Sequence, residues 1–76
     1  MFTDQEIDEA VLAQCDASYR KVALIIVRAS KTLGQDGDEF YERVGKRVHS
    51  LADDGQLEGT GDLSDWRHSE VRLPRG

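Results

Sequence analysis

Only one cysteine, Cys15, and one proline, Pro74, occur in the 76 residues. A lone cysteine makes no internal disulfide, so no covalent staple holds the fold, and a reduced, cytoplasmic setting is the simplest expectation. The longest apolar run, residues 22–27 (VALIIV), is far shorter than a membrane span requires. Residues 1–16 hold no Lys or Arg but carry Asp4, Glu6, Asp8, Glu9 and Asp16. That is the reverse of a secretory signal, and no targeting segment is expected.

What is present describes one small domain. About 38% of the residues are apolar, enough for a single core but not for a core and a deep catalytic cleft. Net charge is −5, with a sequence pI near 4.8. An acidic balance counts against nucleic-acid binding, which rests on Lys and Arg neutralising phosphates. The charge is segregated, however. Residues 17–33 carry Arg20, Lys21, Arg28 and Lys31 with no acid at all. Two neighbouring helices of opposite charge explain this without invoking a binding stripe.

Periodicity divides the chain into three helices, about residues 4–16, 18–33 and 38–54. Thr3 is a natural N-cap for the first, with Glu6 closing a capping box and Phe2 and Ile7 at the staple positions. Asp4 and Glu6 suit the positive end of the helix dipole. Ile7, Ala10, Val11, Gln14 and Cys15 share one face, so Cys15 reads as a small core residue rather than a reactive thiol. Leu12 falls off that face, which predicts exposure. In the second helix Val22, Ile25, Ile26, Ala29 and Leu33 share a side, while Leu24 is stranded among Arg20, Arg28 and Lys31. The turn GQDGD follows, with Asp36 or Asp38 capping a third helix whose buried stripe is Phe40, Val44, Val48 and Leu51, with Tyr41 at its margin. Gly45 beside that stripe costs about 1 kcal/mol relative to Ala, and close approach of the second helix would explain it. Glu39–Arg43 and Glu42–Lys46 have the spacing of intrahelical ion pairs.

Two short alternating strands, about residues 56–60 and 68–73, complete the chain. Leu57, Val71 and Leu73 alternate with Glu58, Glu70 and Arg72, which predicts one face on the helices and one in solvent. The connection is too long for a tight turn and carries Leu63 and Trp66. Beyond Pro74 the chain should fray. Three helices followed by a hairpin predict an α+β domain of winged helix-turn-helix type. The first strand of many winged helices has no counterpart expected here, because residues 16–19 are too short and polar.

The segments DGQLEGTGDL and RHSEVRLP, within residues 48–74, resemble the end of a bacterial family known only as a domain of unknown function. SYRKVALIIVRA matches the same family less sharply, and the likeness spans roughly residues 7–74. The resemblance implies the winged-helix-like fold and a bacterial setting. In that family the domain often forms the C-terminal part of a longer protein, so this would be a free-standing copy. It supplies no catalytic or binding residues.

Each candidate site has a plainer explanation beside it. Arg43, Lys46, Arg47, His49 and Ser50 on the third helix, with Arg67 at the wing, are where a DNA-reading winged helix places its contacts. Ion pairing, with Asp53, Asp54, Glu58, Asp62 and Asp65 facing any phosphate, favours a solvated helix instead. His49 and His68 are too far apart in sequence, and too far from Cys15, to form a zinc motif. Asp36-Gly37-Asp38 lacks the closing Glu of a calcium loop. Asp62, Ser64, Asp65 and His68 lie close in sequence, which does not make a triad. The GTG run has no strand-to-helix context for phosphate. No cofactor or metal is expected, and no membrane contact. The sequence therefore points to a non-catalytic protein-interaction module, binding an unidentified protein or a second copy of itself. Leu12, Leu24 and Trp66 are its candidate surface. A DNA-binding regulator using Arg43, Lys46, Arg47 and Arg67 is the alternative. Trp66 is expected to pack across the helix–hairpin junction, its indole N–H finding a backbone or solvent acceptor.

Overall fold

A computed structural model of the chain describes residues 2–74. Helix α1 spans Asp4–Ala13, strand β1 Arg20–Lys21, helix α2 Val22–Thr32 and helix α3 Asp38–Asp53. Strand β2 (Glu58–Gly61) and strand β3 (Ser69–Arg72) follow, separated by a loop that ends in a 3-10 turn, Trp66–His68. The fold class is α+β, three helices with a three-stranded antiparallel sheet of order β1-β3-β2. The fraying expected after Pro74 concerns Arg75 and Gly76, which lie outside the described residues.

The start of α1 forms as its residues dictate. Glu6 N–H donates to Thr3 Oγ1 at 3.1 Å, and Thr3 N–H donates to the Glu6 carboxylate at 2.9 Å. These reciprocal bonds satisfy two amides that a helix start otherwise leaves unpaired. The cap of α3 departs from expectation. Its N-cap is Gly37, with no side-chain acceptor, and Asp38 is the first helical residue. Neither Asp36 nor Asp38 caps the helix.

The main correction concerns the segment before α2. Helix α2 begins at Val22 rather than near residue 18, because Arg20 and Lys21 are extended and pair with Val71 and Glu70. The first strand is therefore present. Asp16 organises its approach by accepting from Ser18 N–H at 2.9 Å and from Arg20 Nη2 at 2.6 Å. Both contacts hold the Asp16 carboxyl below its ordinary pKa, the Arg20 bond most. The Asp16 carbonyl also accepts from Leu73 N–H at 2.7 Å, tying the end of β3 to this connection.

Ile7, Ala10 and Val11 from α1, Val22, Ile25, Ile26 and Ala29 from α2, and Val44, Val48 and Leu51 from α3 form the core, closed by Leu57 and Val71. Phe40 is half-buried at its edge, 6.1 Å from Phe2 in an edge-to-face pair. The β2–β3 loop folds back on the helices instead of standing clear as an open wing. Leu63 occupies the space beside Gly59, where a Cβ would meet its Cδ1 at 2.5 Å. Trp66 does the same at Gly45, where a Cβ would lie 2.8 Å from Cδ1 of the indole and 3.4 Å from Ile26. Gly45 is thus explained first by Trp66 and only then by α2.

This contact makes a sign-reversing prediction. Trp66→Ala should destabilise the fold by about 2–3 kcal/mol, below the fully buried range because the ring is only half-buried. Gly45→Ala in the wild-type chain should destabilise by about 1–3 kcal/mol through overpacking. In the Trp66→Ala background the same change should stabilise by up to about 1 kcal/mol, since helix propensity then acts alone. Denaturant melts of the four proteins give the cycle. Additive effects would show that the ring does not sit on Gly45.

Candidate functional site

Most cations on α3 are occupied within the fold. Arg47 Nε and Nη2 each donate to Asp8 at 2.8 Å, a two-pronged pair whose side chains are 24% and 20% exposed. The Asp8 carboxylate holds the guanidinium even more firmly in its charged form. Arg43 Nη2 donates to the Phe2 carbonyl at 2.7 Å and to Asp4 at 3.3 Å, and Asp4 also lies 3.6 Å from Arg47. The acids that begin α1 therefore neutralise the middle of α3. Neither expected intrahelical pair, Glu39–Arg43 or Glu42–Lys46, forms among the described residues. Arg43 instead donates to the Phe2 carbonyl and Asp4, and Glu42 accepts from Trp66 in the β2–β3 loop.

Glu42 has different partners. It accepts from Trp66 Nε1 at 3.2 Å, so a carboxylate rather than a backbone or solvent group satisfies the indole. Arg67 stacks over the Trp66 ring at 4.1 Å and lies 3.6 Å from Glu42. Trp66 is thereby held between α3 and its own loop and is not a free anchor. The outer face of α3 presents Glu39, Glu42, Lys46, His49 and Asp53, all exposed, with His49 3.9 Å from Asp53. Among the described residues, Lys46 is the one cation of the proposed DNA set without a carboxylate partner. Ser50 is only half-exposed. Arg43, Lys46, Arg47 and Arg67 make no continuous basic surface, because Asp4, Asp8 and Glu42 lie between them.

The loop polar residues also sort into local pairs. Ser64 Oγ donates to Asp62 at 2.6 Å, and His68 Nδ1 lies 2.7 Å from Asp65. These bonds hold both Asp62 and Asp65 below the ordinary carboxyl range. Ser64 and His68 do not bond to each other, so the four residues are two turn motifs and not a catalytic relay. Among the described residues no three His, Cys, Asp or Glu side chains cluster to hold a metal ion. No helix among them is long and apolar enough to cross a membrane.

Leu12, expected to be exposed, is half-buried and packs against the core. Leu24 is 40% exposed, as its off-stripe position implied, and Val27 is 45% exposed. Sequence reasoning missed Val27 by assigning it no role, although its spacing of three from Leu24 is a legible signal. Arg28 and Lys31 are also exposed and continue the same stripe. Beside it lies a groove of about 370 Å³ lined by Val27, Lys31, Gly34, Gln35, Asp36 and Tyr41. Among the described residues, Leu24 and Val27 are the large apolar side chains that the helices leave exposed, and both lie on α2. Against family models, curated proteins and solved structures, the chain finds no match.

Cys15 stays outside any site. Its Sγ donates to the Val11 carbonyl at 3.3 Å, and burial, aided by Asp16, pushes the thiol pKa up to about 11. Its thiolate fraction at pH 8 should be about a hundred-fold below that of an ordinary thiol. Iodoacetamide at that pH should alkylate it at least ~10-fold more slowly in the folded protein than in the urea-unfolded chain. Equal rates would contradict its assignment to the core edge.

Proposed function

We propose that the chain is a non-catalytic protein-interaction module on a winged-helix-like scaffold, with the outer face of α2 as its contact surface. The observation that carries this reading is the stripe of Leu24, Val27, Arg28 and Lys31, which keeps two large apolar side chains in solvent. Isolated exposed leucines are ordinary on protein surfaces, but a helical seam of apolar residues rimmed by cations is how helices present partner sites. Cys15, a free thiol with no second cysteine to pair with, suits a reducing cytoplasmic setting.

DNA binding through α3 has less support. A recognition helix needs cations and hydrogen-bonding side chains free to reach bases and phosphates. Here Arg43 and Arg47 are bonded to α1, and Glu39, Glu42 and Asp53 share the exposed face with Lys46. The loop carrying Trp66 also packs on the flank of that helix.

Photo-crosslinking in the source cells tests the proposal. A benzoyl-phenylalanine at position 27 should give protein adducts that disappear when Leu24→Asp is added. The same probe at Gln5, on α1, should not give them. Adducts at both positions, or none at position 27, would count against an α2 surface. Retention of mixed duplex DNA at about 50 mM salt, where non-specific affinity is strong, weakened by Lys46→Ala and Arg67→Ala, would favour the DNA reading instead.

A further inference from the structure

The geometry points to an acidic amphipathic helix of another protein as the occupant of the α2 surface, an inference that rests on the interaction-module reading above. Leu24, Val27, Arg28 and Lys31 recur at spacings of three and four, so they form a narrow ridge along one side of the helix. The half-buried ring of Tyr41 and the backbone of Gly34 wall the groove beside Val27 and Lys31. A ridge with an adjoining groove of this kind matches a second helix lying alongside. It does not match an extended strand, which would need a free sheet edge.

Charge chooses the partner. Among the described residues, Arg20, Arg43, Arg47, Arg67 and Arg72 each have a carboxylate within ion-pair distance: Asp16, Asp4, Asp8, Glu42 and Glu58. Lys21, Arg28, Lys31 and Lys46 have none. Two of these four, Arg28 and Lys31, stand exposed on α2 along the same stripe as Leu24 and Val27, so in a chain of net charge −5 the apolar stripe is flanked by cations and not by acids. Asp36, at one end of the groove, is the carboxylate that lines it, and it forms no ion pair with Lys31. Acidic residues flanking an apolar stripe would satisfy this rim and set the docking register, while burial of Leu24 and Val27 supplies the hydrophobic share.

A second copy of the chain fits less well. Pairing α2 with α2 would bring Arg28 and Lys31 of both molecules together. The other candidate, α1 of a second copy, has its carboxylates engaged: Asp4 and Asp8 with α3 and Glu6 with Thr3. Glu9 is left as its unmatched acid, and on α3 the exposed Glu39, Glu42 and Asp53 are interrupted by Lys46 and His49, so neither helix offers a wholly acidic flank to Arg28 and Lys31.

A displayed library of peptides about 18 residues long, some five helical turns, tests the inference. Apolar residues are kept at positions i, i+3, i+4 and i+7, and the flanking positions are randomised among acidic, basic and neutral residues. Selection on the full-length protein should enrich acidic flanks. The enriched peptides, made synthetically, should bind about tenfold or more weakly to Leu24→Asp and to Lys31→Glu, and more weakly as salt rises. Both positions are exposed, so circular dichroism should show each variant folded. Enrichment of neutral or basic flanks, with binding still lost in Leu24→Asp, would overturn the acidic partner while leaving the α2 surface standing. No enrichment, or peptides indifferent to Leu24→Asp, would overturn both. Sedimentation showing a dimer that Leu24→Asp dissolves would assign the face to a second copy and overturn the inference.

Discussion

The two-pronged contact of Arg47 with Asp8 joins the first helix to the third, and much of the molecule's character depends on it. A bidentate guanidinium–carboxylate pair fixes both direction and distance. With three-quarters or more of each side chain sheltered, it is far less screened than a surface pair. Arg43 reinforces the same seam at the Phe2 carbonyl and Asp4. The acidic start of α1, suited by its cap and dipole to be a helix start, acts a second time as the counter-charge for α3. With those two arginines held there, Lys46 on α3 and Arg28 and Lys31 on α2 are, among the described residues, helix cations without an ion-pair partner.

Tertiary partners also set the position of the β2–β3 loop. A hairpin loop that stood clear of the helices would expose Leu63 and Trp66. Instead the absent side chains at Gly59 and Gly45 admit both, and Glu42 receives the indole N–H. Sheet and helix bundle are thereby locked on one side by Trp66 and on the other by the Leu73 amide donating to the Asp16 carbonyl. The flank of α3 beside Gly45 is covered by the β2–β3 loop.

What was legible in the sequence was local. The Thr3–Glu6 capping box, the stripe Val22–Ile25–Ile26–Ala29 and the Leu57/Val71 alternation are patterns of neighbouring residues, and each formed. The features that were not legible depend on partners distant in sequence. Two residues, Arg20 and Lys21, become a strand only because β3 lies beside them, so their propensity carried no signal. Glu39–Arg43 and Glu42–Lys46 satisfied the spacing rule yet were displaced by Asp4 and Trp66, which no intrahelical rule can see. Leu12 was off the buried stripe but close enough to the core margin to pack there. Of the candidate site, Leu24 was foreseen, and Val27 could have been read from its spacing. That Arg28 and Lys31 form no ion pair among the described residues needed the tertiary contacts.

The account stands on the α3 arginines belonging to the fold. A double-mutant cycle on Asp8→Ala and Arg47→Ala, followed by denaturant unfolding, measures that most directly. Coupling of about 1–2 kcal/mol is the result the account predicts, as expected for a largely sheltered charged hydrogen-bonded pair. Coupling indistinguishable from zero would mean that Arg47 is free to leave Asp8. That would return α3 to consideration as the functional surface.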